Sequence, residues 1–313
     1  MEQMSEFEKN ALEHIKNCII KYYDGQSIKY DATKSAEGVI VDFFSWLYRQ
    51  IAPIKRKVSL SHELQKKIEE KSLSAEDIDI LDFFRKRFEN GDDMRGFQSV
   101  FTLDSEKTDY LRYTWNIYHL HMTKTVANNE EEMRKNRAGR QLLVVIQDME
   151  VLFVDVSPHP ARGQAHEYFN LNHLRILRDN GWFERIGFSE MDDIIPRSLE
   201  PKITSSSDIY KLYKSNMNMA FELDGKAYQS MSFITMSSHP LRAVDTLHQI
   251  LKNIHALDVV GNECEFVAFD TDTNNHLMIL ITIKEQSGNK RYFDLLQFRE
   301  LTPDGSRIEE VAQ

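Results

Sequence analysis

Hydrophobic residues recur at helical spacing along the N-terminal part of the chain. The helices that this spacing predicts span residues 5–23, 35–51, 61–71 and 74–90. The last of them begins at Ser74 with an aspartate three positions later, which is the arrangement of a capping box, and Asn90-Gly91 ends it. The pattern therefore predicts a helical region over residues 1–91.

The pattern changes to alternation in the centre of the chain, where residues 112–121 have the sequence RYTWNIYHLH. Successive side chains of a strand point to opposite faces, so His119 and His121 fall on one face and Leu120 on the other. This spacing separates two imidazoles on that face by about 7 Å. The sequence therefore predicts a strand that presents a pair of histidines.

Two apolar, β-branched runs follow that strand and predict a hairpin. They are QLLVVIQ at 141–147 and VLFVDV at 151–156. The polar segment 125–136 precedes them and predicts a loop or a short exposed helix. Together these patterns predict a small antiparallel sheet within residues 92–165.

Helices and strands are mixed in the C-terminal half. The predicted helices span residues 171–180, 205–216 and 240–257, and the predicted strands span 219–223, 226–231, 263–270, 276–284 and 290–298. Asp224-Gly225 supplies the positive φ angles of a tight hairpin turn. We predict a C-terminal α+β domain with antiparallel strands over 166–300 and a flexible tail over 301–313. The predicted fold class is α+β, with a helical layer, a central antiparallel sheet and this C-terminal domain.

Composition and charge narrow the classes of protein. The chain of 313 residues is 41% hydrophobic and 28% charged, which is typical of a globular protein. The net charge of −10 argues against a broad surface that coats nucleic acid, although it is compatible with a small basic site. No apolar run approaches the ~20 residues of a membrane span and no secretory signal opens the chain, so we expect a cytoplasmic protein without membrane contact. Cys18 and Cys264 match no metal or redox spacing and predict two reduced, buried thiols.

Histidines and arginines converge on the predicted central sheet. Neighbouring imidazoles suit acid–base cleavage of RNA, in which one ring takes the 2′-hydroxyl proton and another group protonates the leaving oxygen. Arginines would hold the phosphate and stabilise the charge of the transition state. The predicted catalytic residues are His119, His121 and His159, and the predicted substrate-binding residues are Arg112, Arg137 and Arg140. This chemistry needs no metal and no cofactor.

Two alternatives use the same residues. In the first, His119 and His121 bind a metal with His159 or Asp155 as third ligand, and the protein is a metal-dependent nuclease or hydrolase. In the second, the sheet is a packed core and the protein is a non-enzymatic interaction or regulatory protein. An open cleft with Arg140 within reach would favour the enzyme, whereas a closed apolar core around both histidines would oppose it.

The order of these elements resembles the core of RelE/ParE-family toxins. The resemblance covers about residues 112–159, in which RYTWNIYHLH is followed by RAGRQLLVVIQDMEVLFVDVSPH. It implies a toxin-like or defence-associated endoribonuclease in which Arg140 leads the second strand and His159 closes the third. The implied partners are RNA or the ribosome and a protein antitoxin or regulator, with the oligomeric state left open.

The chain departs from that family in three respects. His119 and His121 occupy positions where the family more often has arginine or lysine, the chain is much longer, and its net charge is acidic. The whole chain also resembles uncharacterised bacterial proteins that carry a His-Leu-His strand.

Overall fold

The computed structural model describes residues 4–136, 139–161, 163–191, 203, 205–259, 262–271 and 277–301. The helices are α1 (Glu6–Gln26), α2 (Ala36–Arg49), α3 (His62–Glu69), α4 (Ala75–Asn90), α5 (Tyr110–Trp115), α6 (Glu130–Lys135), α7 (Leu171–Asp179), α8 (Ser206–Lys214) and α9 (Leu241–Leu257). The strands are β1 (Lys57–Leu60), β2 (Ile117–His121), β3 (Arg140–Gln147), β4 (Glu150–Pro158), β5 (Phe188–Glu190), β6 (Ala220–Leu223), β7 (Lys226–Ser230), β8 (Glu263–Thr271), β9 (Leu277–Lys284), β10 (Lys290–Asp294) and β11 (Arg299–Leu301). This combination of helices with small sheets confirms the α+β class.

The chain forms two compact units. One contains the residues up to Ser45 and those from Arg242 onward, and the other is Trp46–Leu241. The predicted division into 1–91, 92–165 and 166–300 follows the order of the chain, whereas the first unit joins its two ends. Hydrophobic periodicity identifies elements but carries no information about which distant elements pack together.

The first unit is built on the antiparallel sheet β11-β10-β9-β8. Helix α1 packs against β8, where the thiol of Cys18 donates a hydrogen bond to the carbonyl of Val267 at 2.9 Å. Both cysteines are half-buried. The single strand predicted over 290–298 is wrong, because the chain turns back through the positive φ of Phe298 and forms β11.

The predicted tail falls mostly outside the described residues. Its first residue, Leu301, pairs with Tyr292 in the sheet and is not part of a tail. Residues 302–313 lie outside the part of the chain that the structure describes.

The second unit is organised around a four-stranded sheet with the order β1-β4-β3-β2. Strands β2, β3 and β4 are antiparallel as predicted. Strand β1 pairs parallel to β4, so the sheet is mixed and the purely antiparallel prediction is incomplete. Only four residues long and at the sheet edge, β1 lacks the apolar run that marks the inner strands.

Both faces of this sheet are covered. Four consecutive residues of β3, Leu142 to Val145, are completely buried, which explains why the strand is apolar at every position and not only at alternate ones. The face covered by α3 and α4, here called the α4 face, carries Tyr118, Leu120, Leu142 and Val144. The opposite face, here called the α7 face, carries Ile117, Leu143, Val145 and Leu152, which pack against α5, α7 and α8.

The segment just before β2 contradicts the prediction. Residues 112–115 were predicted as part of the strand, but they belong to α5. The Asp109 carboxylate caps this helix by accepting the N–H of Arg112 at 3.0 Å, and Asn116 ends it with a positive φ. Aromatic and β-branched residues such as Tyr113, Thr114 and Trp115 favour strands on average, and here the two caps outweigh that preference.

The hairpin of the second unit is confirmed. Asp224 and Gly225 have φ angles of 52° and 83° and join β6 to β7. The sequence did not predict β5, which adds to β7 as a third strand. Residues 192–202 lie outside the described residues.

Candidate active site

The three predicted histidines come together on the α7 face. The rings of His119 and His121 lie 6.2 Å apart between centroids and are nearly parallel, close to the predicted spacing. The ring of His159 lies 5.2 Å from that of His121 and perpendicular to it. Strand β4 brings His159 there because Gln141 of β3 pairs with His121 on one side and with Ser157, two residues before His159, on the other.

An aromatic side chain that the sequence did not predict completes this group. Tyr168 lies at the end of a short 3-10 turn, with its ring 5.0 Å from that of His119 and 6.3 Å from that of His159. The segment before α7 therefore places a phenol between the two imidazoles. A tyrosine in a loop has no pattern that marks it in the sequence.

The group opens onto a cleft of about 600 Å³. His119, His159 and Tyr168 line it. Arg134 of α6, which the sequence did not predict as a site residue, also lines it and forms an ion pair with Glu130 one turn earlier in the helix. The aromatic residues of its wall are Phe101, Tyr110, Phe169 and Tyr210. The cleft thus combines imidazoles, one guanidinium and aromatic faces.

The predicted histidines differ in exposure. His119 and His159 are half-buried and line the cleft, whereas His121 is only 3% exposed and lies behind them. His121 packs edge to face against His159. The arrangement makes His119 and His159 the accessible pair, and His121 a residue that positions the ring of His159.

The tautomer of His159 follows from its neighbour. Its Nδ1 lies 2.8 Å from the carbonyl oxygen of Pro160. Because a carbonyl can only accept a hydrogen bond, Nδ1 is the protonated nitrogen. The neutral ring therefore carries its lone pair on Nε2, which is the nitrogen able to take up a proton.

Asp109 adds a titratable carboxyl group to the same cleft. Burial raises its pKa above the ordinary value of 3.8, and the N–H of Arg112 and the charges of Arg49 and Arg112 oppose this shift only in part. Asp109 is not among the site residues that the sequence predicted. The helix that it caps was itself not predicted.

Arg112 is not available to a substrate. It is 8% exposed, and its guanidinium carbon lies 3.9 Å from the ring centroid of Tyr48 and 4.2 Å from that of Tyr118. Its Nε donates to the carbonyl of Tyr48 at 3.0 Å, and Nη1 donates to Asn116. These contacts hold α5 against β2, so the predicted role of Arg112 as a phosphate ligand does not agree with its position.

Arg140 lies on the wrong face for a phosphate ligand. It alternates with Gln141 along β3, so its side chain points to the α4 face, where it forms an ion pair with the buried Asp77 of α4. The histidines occupy the α7 face. Arg137, the third predicted ligand, lies outside the described residues.

The metal alternative gains no support from the geometry. Within the described part of the chain, no three His, Cys, Asp or Glu side chains are grouped so that they could hold one ion. Asp155, the predicted carboxylate ligand, instead forms an ion pair with Lys67 at 2.6 Å.

No protein-family model matches the chain, and the comparisons with curated proteins and with solved structures also find no match. The resemblance to RelE/ParE-family toxins therefore stays a prediction. None of the described helices combines the length and the apolar character needed to cross a bilayer.

Proposed function

We propose that this protein is a toxin-like or defence-associated endoribonuclease that cleaves RNA by metal-independent acid–base chemistry. One observation carries the proposal: two imidazoles, His119 from the middle of β2 and His159 from the residue after β4, line a single cleft on either side of Tyr168. Two titratable rings at such a site are what general base and general acid catalysis require.

The proposed reaction needs only the RNA and the side chains of the cleft. Nε2 of His159 takes the proton of a 2′-hydroxyl, and the resulting oxygen attacks the adjacent phosphorus. The bond from phosphorus to the 5′-oxygen breaks, and protonated His119 gives its proton to that oxygen. The products are a 2′,3′-cyclic phosphate and a 5′-hydroxyl. Both rings then return to their starting states in one of two ways: by proton exchange with solvent, or by hydrolysis of the cyclic phosphate, in which His119 takes a proton from the attacking water and His159 gives its proton to the departing 2′-oxygen.

Other residues of the cleft support substrate binding. The guanidinium of Arg134 can attract the phosphate as negative charge develops on it. Phe101, Tyr110 and Tyr210 offer faces on which single-stranded bases stack. A local site of this kind is compatible with the net charge of −10.

The test is cleavage of a defined single-stranded RNA by purified protein in excess EDTA. We expect products that end in a 2′,3′-cyclic phosphate and a 5′-hydroxyl. A single 2′-deoxynucleotide at the cleavage point should prevent the reaction because it removes the attacking oxygen. Cleavage of the deoxy-substituted strand, or activity that appears only when a divalent metal is added, would contradict the mechanism.

The proposed role in the cell is tested by expressing the protein and measuring growth and the integrity of total RNA. Expression of a toxin-like nuclease should arrest growth and fragment total RNA, and both effects should be absent with a His119→Ala/His159→Ala double variant that still folds. A protein antitoxin or regulator would then be sought as the partner that restrains the wild type.

A second candidate is a non-enzymatic interaction protein. The observation that favours it is that His121, Arg112 and Arg140 all have structural positions, although the sequence predicted chemistry for them. Under this hypothesis His119 and His159 would be part of a binding surface. Intact RNA in the EDTA assay, together with unchanged growth, would favour this candidate over the nuclease.

A further inference from the structure

A second, smaller cleft lies next to the first. Its volume is about 420 Å³, and Pro160 lines both clefts. Small-molecule sites commonly measure about 300–1,000 Å³. The ends of β3 and β4, the turn before α7 and the first residues of α7 and α8 form this second cleft.

Two buried polar groups lie in its lining. Gln141 is 2% exposed and His173 is 6% exposed. Within the described part of the chain, Oε1 of Gln141 and Nδ1 of His173 have no hydrogen-bond partner. A buried polar atom without a partner costs about 1–3 kcal/mol, so native proteins rarely keep two of them together. A ligand in the cleft would supply the missing partners.

The chemistry of these two groups limits the ligand. The Gln141 amide donates through Nε2 to the hydroxyl of Ser157 at 3.4 Å, which leaves Oε1 as an acceptor. Burial lowers the pKa of His173, and nearby Asp155 and a hydrogen bond to the backbone of Tyr168 oppose the shift, so the ring is neutral at pH 7. A neutral imidazole has one N–H, and because this N–H donates to the carbonyl of Tyr168, Nδ1 is left as an acceptor. The complementary ligand is an uncharged group with hydrogen-bond donors along one edge.

The walls limit its shape. His166 contributes a planar ring to the lining, which suits stacking on a heterocycle, and Pro158 and Pro160 contribute apolar surface on which such a ring can pack. The carboxylate of Glu167 also lines the cleft and disfavours a phosphate there.

We propose that the second cleft binds a nucleobase, with Gln141 and His173 pairing with its hydrogen-bonding edge and Pro158, Pro160 and His166 packing on its ring. Because Pro160 belongs to both clefts, the base is that of a nucleotide adjoining the scissile phosphate. That last assignment rests on the proposed nuclease function, whereas base binding itself does not. Preference for particular bases at the cleavage point would then arise in this cleft.

The experiment measures binding of adenosine, guanosine, cytidine and uridine to the full chain by calorimetry, with inorganic phosphate and ribose 5-phosphate as further probes. We expect at least one nucleoside to bind. The Gln141→Leu variant, similar in volume, should weaken that binding roughly tenfold or more because it removes a buried hydrogen-bond partner. His166→Ala should also weaken it, and this variant guards against a folding defect in Gln141→Leu. His119→Ala, which alters only the first cleft, should bind the nucleoside as the wild type does.

Three results would overturn the inference. The first is that the folded wild type binds no nucleoside at millimolar concentration. The second is that inorganic phosphate or ribose 5-phosphate displaces the nucleoside, which would make the ligand an anion. The third is that His119→Ala loses binding while Gln141→Leu and His166→Ala keep it, which would move the nucleoside to the first cleft.

The outcome is separable from that of the proposed function. Nucleoside binding that depends on Gln141 without any RNA cleavage would support this site and reject the nuclease. Cleavage in EDTA without nucleoside binding would support the nuclease and reject this site.

Discussion

Two pairs of polar residues at the central sheet, the arginines Arg112 and Arg140 and the histidines His119 and His159, differ in their surroundings. Neighbouring side chains engage both arginines: Tyr48 and Tyr118 pack on the buried guanidinium of Arg112, and Asp77 pairs with the partly exposed guanidinium of Arg140. His119 and His159 instead line an open cleft, because the elements covering the α7 face leave a gap beside the turn that carries Tyr168.

The comparison shows that residue type alone does not identify a catalytic group. All four side chains are of kinds that enzymes use, and all lie on the central sheet or on segments next to its strands. The difference lies in the helices that pack beside each residue. Helix α4 brings an aspartate to Arg140, and α5 carries Arg112 against two tyrosines, so these arginines stabilise the fold.

The largest effect on this comparison should come from Arg112→Met. Removing the guanidinium loses two cation–π contacts and the hydrogen bonds to the carbonyl of Tyr48 and to Oδ1 of Asn116, which keeps only the Tyr48 hydroxyl as a donor. We expect a loss of about 3–5 kcal/mol of unfolding free energy, measured by urea denaturation. Cleavage per folded molecule should stay at the wild-type level. A stable variant that no longer cleaves RNA would place Arg112 with the catalytic group instead.

The next effect concerns Arg134. Arg134→Ala should lower the cleavage rate roughly tenfold, equivalent to about 1.4 kcal/mol, because a cation that lines the cleft is lost. Its stability should not change, since the side chain is 62% exposed. Lys135→Ala is the matched control, being one position further along α6 and outside the cleft lining. Equal rates for the two variants would remove Arg134 from the site.

Arg140→Ala should have a smaller effect, and on stability only. The Asp77 carboxylate is buried and would lose its ion pair, although it keeps its hydrogen bonds to Ser74. Since Arg140 is itself 39% exposed, solvent weakens this pair, and we expect a loss of about 1 kcal/mol in thermal or urea unfolding. A change in cleavage rate without a change in stability would contradict the assignment.

The smallest effect is a pH dependence from His173. Burial holds its folded pKa below the ordinary value of 6.5, so the unfolded chain binds more protons in the range just below pH 6.5. The stabilising contribution of the neutral ring is fully present above that value and is lost as the pH falls through the range. A His173→Gln variant should therefore show a weaker decline in unfolding free energy over that range than the wild type. Parallel curves for the two proteins would show that His173 does not titrate as described.

Local patterns predicted much of the fold. The capping box of Ser74 and Asp77, the hairpin turn at Asp224-Gly225 and the apolar runs of β3 and β4 all involve residues close in sequence, and the structure confirms them. The histidine spacing was also predictable, because it follows from strand geometry alone.

What depends on distant parts of the chain was not predictable. Strand β1 exists because β4, about ninety residues later, pairs with it. Tyr168 and Arg134 reach the cleft through a turn and a short helix that have no signature of function. Alternation along β3 separates Arg140 from Gln141, but only the observed register shows that Gln141, and not Arg140, shares a face with His121.

The most direct test compares RNA cleavage by the wild type with that by His119→Ala, His159→Ala and His62→Ala, each with its unfolding free energy measured. His62 is an exposed histidine on α3, outside both clefts, and serves as the matched control. We predict that the first two variants each lose at least about a hundredfold in rate at unchanged stability, as removal of a general acid or base should cause, and that His62→Ala cleaves as the wild type does. Wild-type rates in His119→Ala and His159→Ala would contradict the account.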